Sequence, residues 1–296
     1  MTEVPGFPTS SASSPYTDLD RPPLRQSALR RALLGAGELW REIEVVDALE
    51  STNTELARRA HAGAPEGSVL VAEHQTAGRG RLNRSFQTPP RAALTFSVLV
   101  RPGPHPTSYG WLPLLMGSAA VAALDRVAGV RARLKWPNDV LLDERKLAGI
   151  LSEAVTETGG SVAIVVGMGL NVSQTAEELP SAAATSLAHA EAGCLDRDPL
   201  LRAVLRGFAE RYGQWQRAGG DAEACGLAAE YRQQCATIGR DVHVHLPDQS
   251  LRTGVATDID AEGRLVLQSH DAHGAGGQIP LTAGDVVHVR PDERTG

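Results

Sequence analysis

At 296 residues and 31.3 kDa, the chain has room for about two domains and for a core that needs no disulfide or structural metal. A composition 42% hydrophobic and 22% charged excludes disorder throughout, and a formal charge of −6 with a pI near 5.9 excludes a general nucleic-acid coat. No apolar run reaches the ~20 residues of a spanning helix, the N-terminus lacks a signal-peptide core, and Cys194, Cys225 and Cys235 form no C-x-x-C pair, so a cytoplasmic chain with reduced thiols is expected.

Residues 1–37, rich in Ser, Pro and Thr, read as a flexible extension with room for one docked amphipathic helix around Leu24–Leu34 and none for a helix-turn-helix with its wing. A strand at Ile43–Val46 leads into Ser51-Thr52-Asn53-Thr54-Glu55, where Thr52 and Glu55 have capping-box spacing, and the helix closes near Gly63. Ser68–Ala72 and Ala93–Val100 read as buried strands, on either side of a loop carrying Gly78-Arg79-Gly80-Arg81. Helical periodicity runs through 109–128. Leu134-Lys135-Trp136-Pro137 is extended because proline disfavours helix before it, a hairpin turns at Asp143–Lys146, and Val162–Val172 is a strand interrupted by Gly167 and Gly169.

An amphipathic helix follows at 199–217, with Leu201, Leu205, Phe208, Tyr212 and Trp215 on one stripe, and a second is expected from Ala222 to about Gln234. Beyond Gly239 the pattern changes to short β segments at 242–246, 251–258, 264–268, 278–281 and 286–289, expected to form a small separate barrel or sandwich.

Four constellations could carry chemistry. In Gln75-Thr76-Ala77-Gly78-Arg79-Gly80-Arg81-Leu82-Asn83-Arg84, glycine permits close approach of backbone to a ligand and arginine grips phosphate or carboxylate oxygens, although the string also reads as a solvated basic loop. It is neither a P-loop nor a dinucleotide-binding turn. Lys135-Trp136-Pro137-Asn138-Asp139 draws notice because only two of the 29 basic residues are lysines, Lys135 and Lys146. Where arginine serves nearly every cationic role, a retained lysine points to a need for a compact ammonium, here one that could offset charge on a carboxylate attacking phosphorus. Asn138 and Asp139 read first as turn formers, and Trp136 as core. Lys146-Leu147-Ala148-Gly149 starts the hairpin's return strand, and Gly167-Met168-Gly169-Leu170-Asn171 ends a buried one, its glycines marking close approach by a ligand or another backbone. His243 and His245 share a strand face, but with no third ligand near they read as surface residues.

Taken in order, S-T-N, A-E-x-Q-x-A-G-R-G-R, K-W-P-N-D, K-L-A-G-I-L and G-x-G-x-N resemble the bacterial biotin protein ligases, over the chain from about Ile43 onward. The resemblance implies an α+β fold, with a class II aminoacyl-tRNA synthetase-like catalytic domain over 38–236 and an SH3-like β domain over 237–296. It implies activation of biotin by ATP and Mg²⁺ to biotinyl-5′-adenylate, then transfer to one lysine of a biotin carboxyl carrier protein. By the same resemblance Ser51, Thr52, Asn53, Gln75, Arg79, Gly80, Arg81 and Lys135 bind biotin, Lys135 and Arg81 are catalytic, Arg84 and Asn171 contact the adenylate, and no metal ligand is assigned. Lys146 and Gly149 fall near the nucleotide without an assigned role. The family loop often continues with glycine and tryptophan, where this chain has Leu82, Asn83 and Phe86. A biotin- or adenylate-binding transcriptional regulator is the alternative from another class. A lipoate–protein ligase is the enzymatic one, disfavoured by the absence of its arginine-rich triple-glycine motif.

Overall fold

The computed structural model describes residues 21–81, 84–103, 106–157, 159–269 and 277–289. Residues 1–20, most of the expected extension, and the divergent pair Leu82 and Asn83 lie outside the described residues. The elements run α1 (Gln26–Leu33), β1 (Glu42–Val46), α2 (Thr52–His61), β2 (Ser68–Ala72), β3 (Ala93–Val100), α3 (Trp111–Ala128), β4 (Arg133–Lys135), β5 (Asp139–Leu142), β6 (Arg145–Thr156), β7 (Val162–Asn171), α4 (Arg197–Arg217) and α5 (Leu227–Gln234). Five strands complete the chain: β8 (Asp241–His245), β9 (Leu251–Ile259), β10 (Leu265–Ser269), β11 (Gln278–Leu281) and β12 (Asp285–His288).

Strands β1 to β7 form one sheet in the order β1-β2-β3-β7-β6-β5-β4, parallel only between β1 and β2. Side chains alternate across a strand, so each central strand feeds two cores. Val69, Val71, Phe96, Val98 and Val166 pack with residues of α1, α3 and α4, whereas Leu70, Leu99 and Val165 pack with Leu56 and Ala60 of α2. Helix α3 is apolar on nearly every side because it is buried between sheet and α4, its apolar surface being core. The stripe on α4 is buried as expected, and its rings stack, with centroids 5.8 Å apart for Phe208–Tyr212 and 6.0 Å for Tyr212–Trp215.

Strands β8 to β12 form a separate antiparallel sheet in the order β11-β10-β9-β8-β12. Two indoles reach across to its β9–β10 turn. Trp111 Nε1 donates to Ala261 O at 2.8 Å and Trp136 Nε1 to Gly263 O at 3.0 Å, so Trp136 is the core residue expected of it.

Two local expectations change. Ser51, not Thr52, caps α2, its Oγ accepting from Thr54 N, while Glu55 turns to Arg58 and Arg59. Helix α5 begins at Leu227 rather than Ala222, because Asp221 accepts from Glu223 N and Ala224 N to make a turn, and Gly226 enters the helix at φ +79°. The helix expected to dock at the end of the extension is present as α1. Leu29 and Leu33 of α1 are buried, Arg30 Nε donates to Ile43 O, and Leu24 N donates to Glu73 Oε1.

Candidate active site

The site follows from strand alternation. Ser97 on β3 pairs with Gly167 on β7, which pairs with Leu151 on β6. One register step away, Thr95, Gly169, Gly149 and Asp139 run side by side across β3, β7, β6 and β5. All of these project on the face that carries α2, and three glycines in adjacent positions leave a trough there. Above it lies a cavity of about 790 Å³, inside the ~300–1,000 Å³ range of small-molecule sites.

Each glycine makes room for a named group. A Cβ on Gly167 would stand 2.0 Å from Asn53 Oδ1, one on Gly169 2.6 Å from the Phe86 ring, and one on Gly149 3.3 Å from Lys146 Nζ. The α2 N-terminus, the basic loop and the second lysine therefore all lie against the sheet floor.

At one end Ser51, Thr52 and Asn53 are buried and linked to their surroundings. Gln75 Oε1 accepts from Thr52 N at 2.7 Å and from Thr52 Oγ1 at 3.0 Å. Ser97 Oγ lies 2.7 Å from Thr52 Oγ1 and 2.6 Å from Asn53 Oδ1, and Asn53 Nδ2 donates to Glu153 Oε2 at 2.7 Å. The loop folds back on itself, Gly80 N donating to Arg84 O and Phe86 N to Gly78 O, which sets Arg79, Gly80, Arg81 and Arg84 at the cavity wall. Arg81 Nη1 donates to Asn138 Oδ1 at 3.2 Å and to Gly284 O at 3.0 Å, and Arg84 pairs with Asp285. Burial pushes the Arg81 guanidinium down from its ordinary value, with Asp139 and Asp285 opposing, yet arginine remains a cation at any working pH.

The two lysines stand in different places. Lys135 stands next to Asp139 in the same cross-strand row, but on the edge strand β4, and it does not line the cavity. Its charge acts instead on His288 of the second sheet, which is pushed down to about 4 by burial first, then by Lys135 and Arg240. Lys146 takes the inner position, crossing over Gly149 to place Nζ 2.6 Å from Asp139 Oδ1. Asn171 lines the cavity, and its amide is engaged: Nδ2 donates to Thr185 O and Oδ1 accepts from Gln174 Nε2, which holds the segment 174–186.

Sequence reasoning set Lys146 near the nucleotide without a role and read Asp139 first as a turn former, and it did not single out Asp285 on the cavity wall or Ser97 behind Thr52 and Asn53. The lysine scarcity and the glycine three positions after Lys146 were the available pointers to the first. Also missed was a buried ion pair behind the wall, Arg197 Nη1 to Glu73 Oε2 at 2.6 Å, with both side chains no more than 5% exposed. Among the described residues no group of three or more His, Cys, Asp or Glu could hold a metal ion, and each carboxylate lining the cavity faces a cation: Asp139 Lys146, Glu178 Arg21, and Asp285 Arg84.

A cavity with a neutral hydrogen-bonding end and a cation-lined wall defines a binder of small molecules that carry carboxylate or phosphate. Residues 45–171 match the Biotin/lipoate A/B protein ligase family and 237–289 match the Biotin protein ligase C terminal domain. The chain is 43% identical to a biotin–[acetyl-CoA-carboxylase] ligase of Mycobacterium tuberculosis, over 93% of this chain and all of that one. It is 30% identical to the bifunctional ligase/repressor BirA of Escherichia coli, over 76% of this chain and 69% of that one. The biotin protein ligase of Aquifex aeolicus, solved with biotin and ATP, superposes with a TM-score of 0.69 at 25% identity, covering 85% of this chain and all of that chain. The chain belongs to the biotin protein ligase family.

Proposed function

We propose that the chain joins biotin to a protein in two steps, forming biotinyl-5′-adenylate and pyrophosphate from biotin and ATP, then passing the biotinyl group to one lysine of a biotin carboxyl carrier protein. In the first step a biotin carboxylate oxygen bonds to the α-phosphorus and the bond to the β-phosphate oxygen breaks. In the second, the carrier amine attacks the acyl carbon and AMP leaves. The observation that carries this reading is the single trough holding both the Ser51–Asn53 end and the Lys146 and arginine wall. Ser51, Thr52, Asn53 and Gln75 suit the polar ring of biotin, and Arg79, Gly80, Arg81 and Arg84 suit its carboxylate and the phosphates.

Lys146 takes the catalytic place first given to Lys135. Its ammonium has three N–H groups, so it can keep Asp139 and still bond an incoming anion, offsetting the charge that builds as two anions meet. Mg²⁺ belongs to the substrate in this reading, entering on the ATP phosphates, because the described residues make no resident cage. The division into a class II synthetase-like unit over 38–236 and an SH3-like unit over 237–296 is supported by the two separate sheets and by the second family match beginning at 237. Work in the cytoplasm, where ATP and carboxylases meet, suits three unbridged cysteines.

The test supplies the chain with ATP and Mg²⁺ and either biotin or lipoate, and follows ATP–pyrophosphate exchange. Biotin alone should drive it; exchange driven by lipoate and not by biotin, or by neither, overturns the assignment.

A further inference from the structure

Beyond the catalytic groups, one contact enters the cavity wall from outside both family-matched segments. Arg21 lies well before residue 45, yet its guanidinium meets Glu178 with both nitrogens, Nη2 to Oε2 at 2.5 Å and Nη1 to Oε1 at 3.2 Å, and Nη2 also donates to Ser173 O at 2.9 Å. Glu178 lines the cavity, and its Oε2 further accepts from Thr175 N. Arg21 therefore bonds both the beginning of the 173–186 segment and a side chain within it.

That segment is tied to the catalytic lysine at its other end. Lys146 N donates to Ala183 O at 2.8 Å and Thr185 N donates to Lys146 O at 2.9 Å, a parallel bridge on the flank of β6. Between these ends Asn171 and Gln174 close the segment on itself. Arg21 is itself held from behind, since the next residues are gripped by the buried pair: Pro22 O accepts from Arg197 and Leu24 N donates to Glu73. A two-pronged guanidinium on a fixed backbone loses little freedom when it binds, so the geometry is set before any ligand arrives.

We infer that Arg21 is a positioning residue for the nucleotide end of the cavity, acting through Glu178 and the 173–186 segment on the backbone of Lys146. The inference rests on the adenylate-forming reading above. It is selective, because the Ser51–Asn53 and Gln75 end shares no hydrogen bond with 173–186 among the described residues.

The test measures KM for ATP and for biotin in pyrophosphate exchange with the full chain. Arg21→Ala should raise KM for ATP roughly five- to tenfold, less than the loss of a charge-assisted bond to the ligand itself because the effect is relayed through Glu178, and leave KM for biotin within about twofold. Glu178→Gln should move the same constant in the same direction. Arg21→Lys, lacking the planar fork, should recover only part of the loss, and the charge exchange Arg21→Glu with Glu178→Arg should recover some of it. Melting temperatures, followed alongside, separate this from loss of fold. Two stable single variants with unchanged KM for ATP, or with both constants raised equally, would overturn the inference while leaving the ligase reading intact. A wild-type chain with no biotin-driven exchange would overturn both.

Discussion

The difference between the two lysines is a matter of one strand. Lys135 and Lys146 are both close in sequence to Asp139, but Asp139 lies on β5 with β4 outside it and β6 inside it. Lys146 is the second residue of β6 and bends inward over Gly149, where a Cβ would crowd its ammonium at 3.3 Å. Lys135 is left at the edge, under the second sheet. On the proposed reading, removing Lys146 takes away the amine nearest the reacting anions, and loss of one such preorganised contact costs ~10²–10³ in rate. Lys146→Ala should therefore lower biotin-dependent pyrophosphate exchange by about that order, with Lys146→Arg restoring it only in part. Lys135→Ala removes a cation outside the cavity, where a partly exposed charge contributes ~0.2–1 kcal/mol, so exchange should stay within about fivefold of the wild type. Equal losses in the two alanine variants, or a larger one at Lys135, would return the role to the edge strand.

At the level of elements, the packing of the second sheet on β4 concentrates charge around one imidazole. His288 lies half-buried, with Nε2 3.1 Å from Thr237 Oγ1 and Nδ1 3.4 Å from Arg240 Nη1, and with Lys135 near; among the described residues Glu144, 4.0 Å away and itself bonded to Arg240, opposes them. The folded state thus holds His288 neutral, at about 4 against the ordinary 6.5. Between those values the unfolded chain binds more protons, so this contribution to stability is complete above pH ~6.5 and is lost as pH falls toward 4. The depressed carboxyls act lower: Glu55, held near 2 first by its hydrogen bond from Arg58, loses its contribution only below about 4.5. His288→Gln should flatten the decline of melting temperature between pH 6.5 and 4.5 and leave the steeper fall below it. A decline of wild-type slope in that variant would assign the window to other groups. The same elements also measure how far sequence reaches. Strands and helices were legible because alternation and the 3.6-residue period record which face is buried, and the five β segments after Gly239 were legible as one unit. Strand order was not, and strand order is what separates Lys146 from Lys135. Nor could composition tell that a Pro-rich stretch at 21–24 is held by Glu73 and Arg197, since each partner lies far away in the chain.

For the molecule as a whole, the arginine-bearing loop does not close on the seven-stranded sheet alone. Arg81 joins three parts at once: the loop that carries it, Asn138 in the β4–β5 turn, and the Gly284 carbonyl before β12. Arg84 reaches the same corner through Asp285. A mixed anhydride held beneath this loop survives only while water and stray amines are kept out, so retention depends on how firmly the second sheet holds the arginines. The two contacts should differ in weight. Arg81 is half-buried and donates two hydrogen bonds from a charged group, each worth ~1.5–3 kcal/mol, whereas the Arg84 side chain is 61% exposed and its ion pair with Asp285 belongs with surface pairs of ~0.2–1 kcal/mol. Arg81→Gly should therefore release adenylate about ten- to a hundredfold faster, by loss of even one such bond, and Asp285→Asn no more than about fivefold faster. The readout is biotin appearing on lysines of an added bystander protein that is not a carrier, with total adenylate formation measured in parallel. If Asp285→Asn leaks as freely as Arg81→Gly, the exposed pair carries the closure. If neither leaks, the loop is held by Phe86 on the Gly169 floor, and the second sheet has no part in retention.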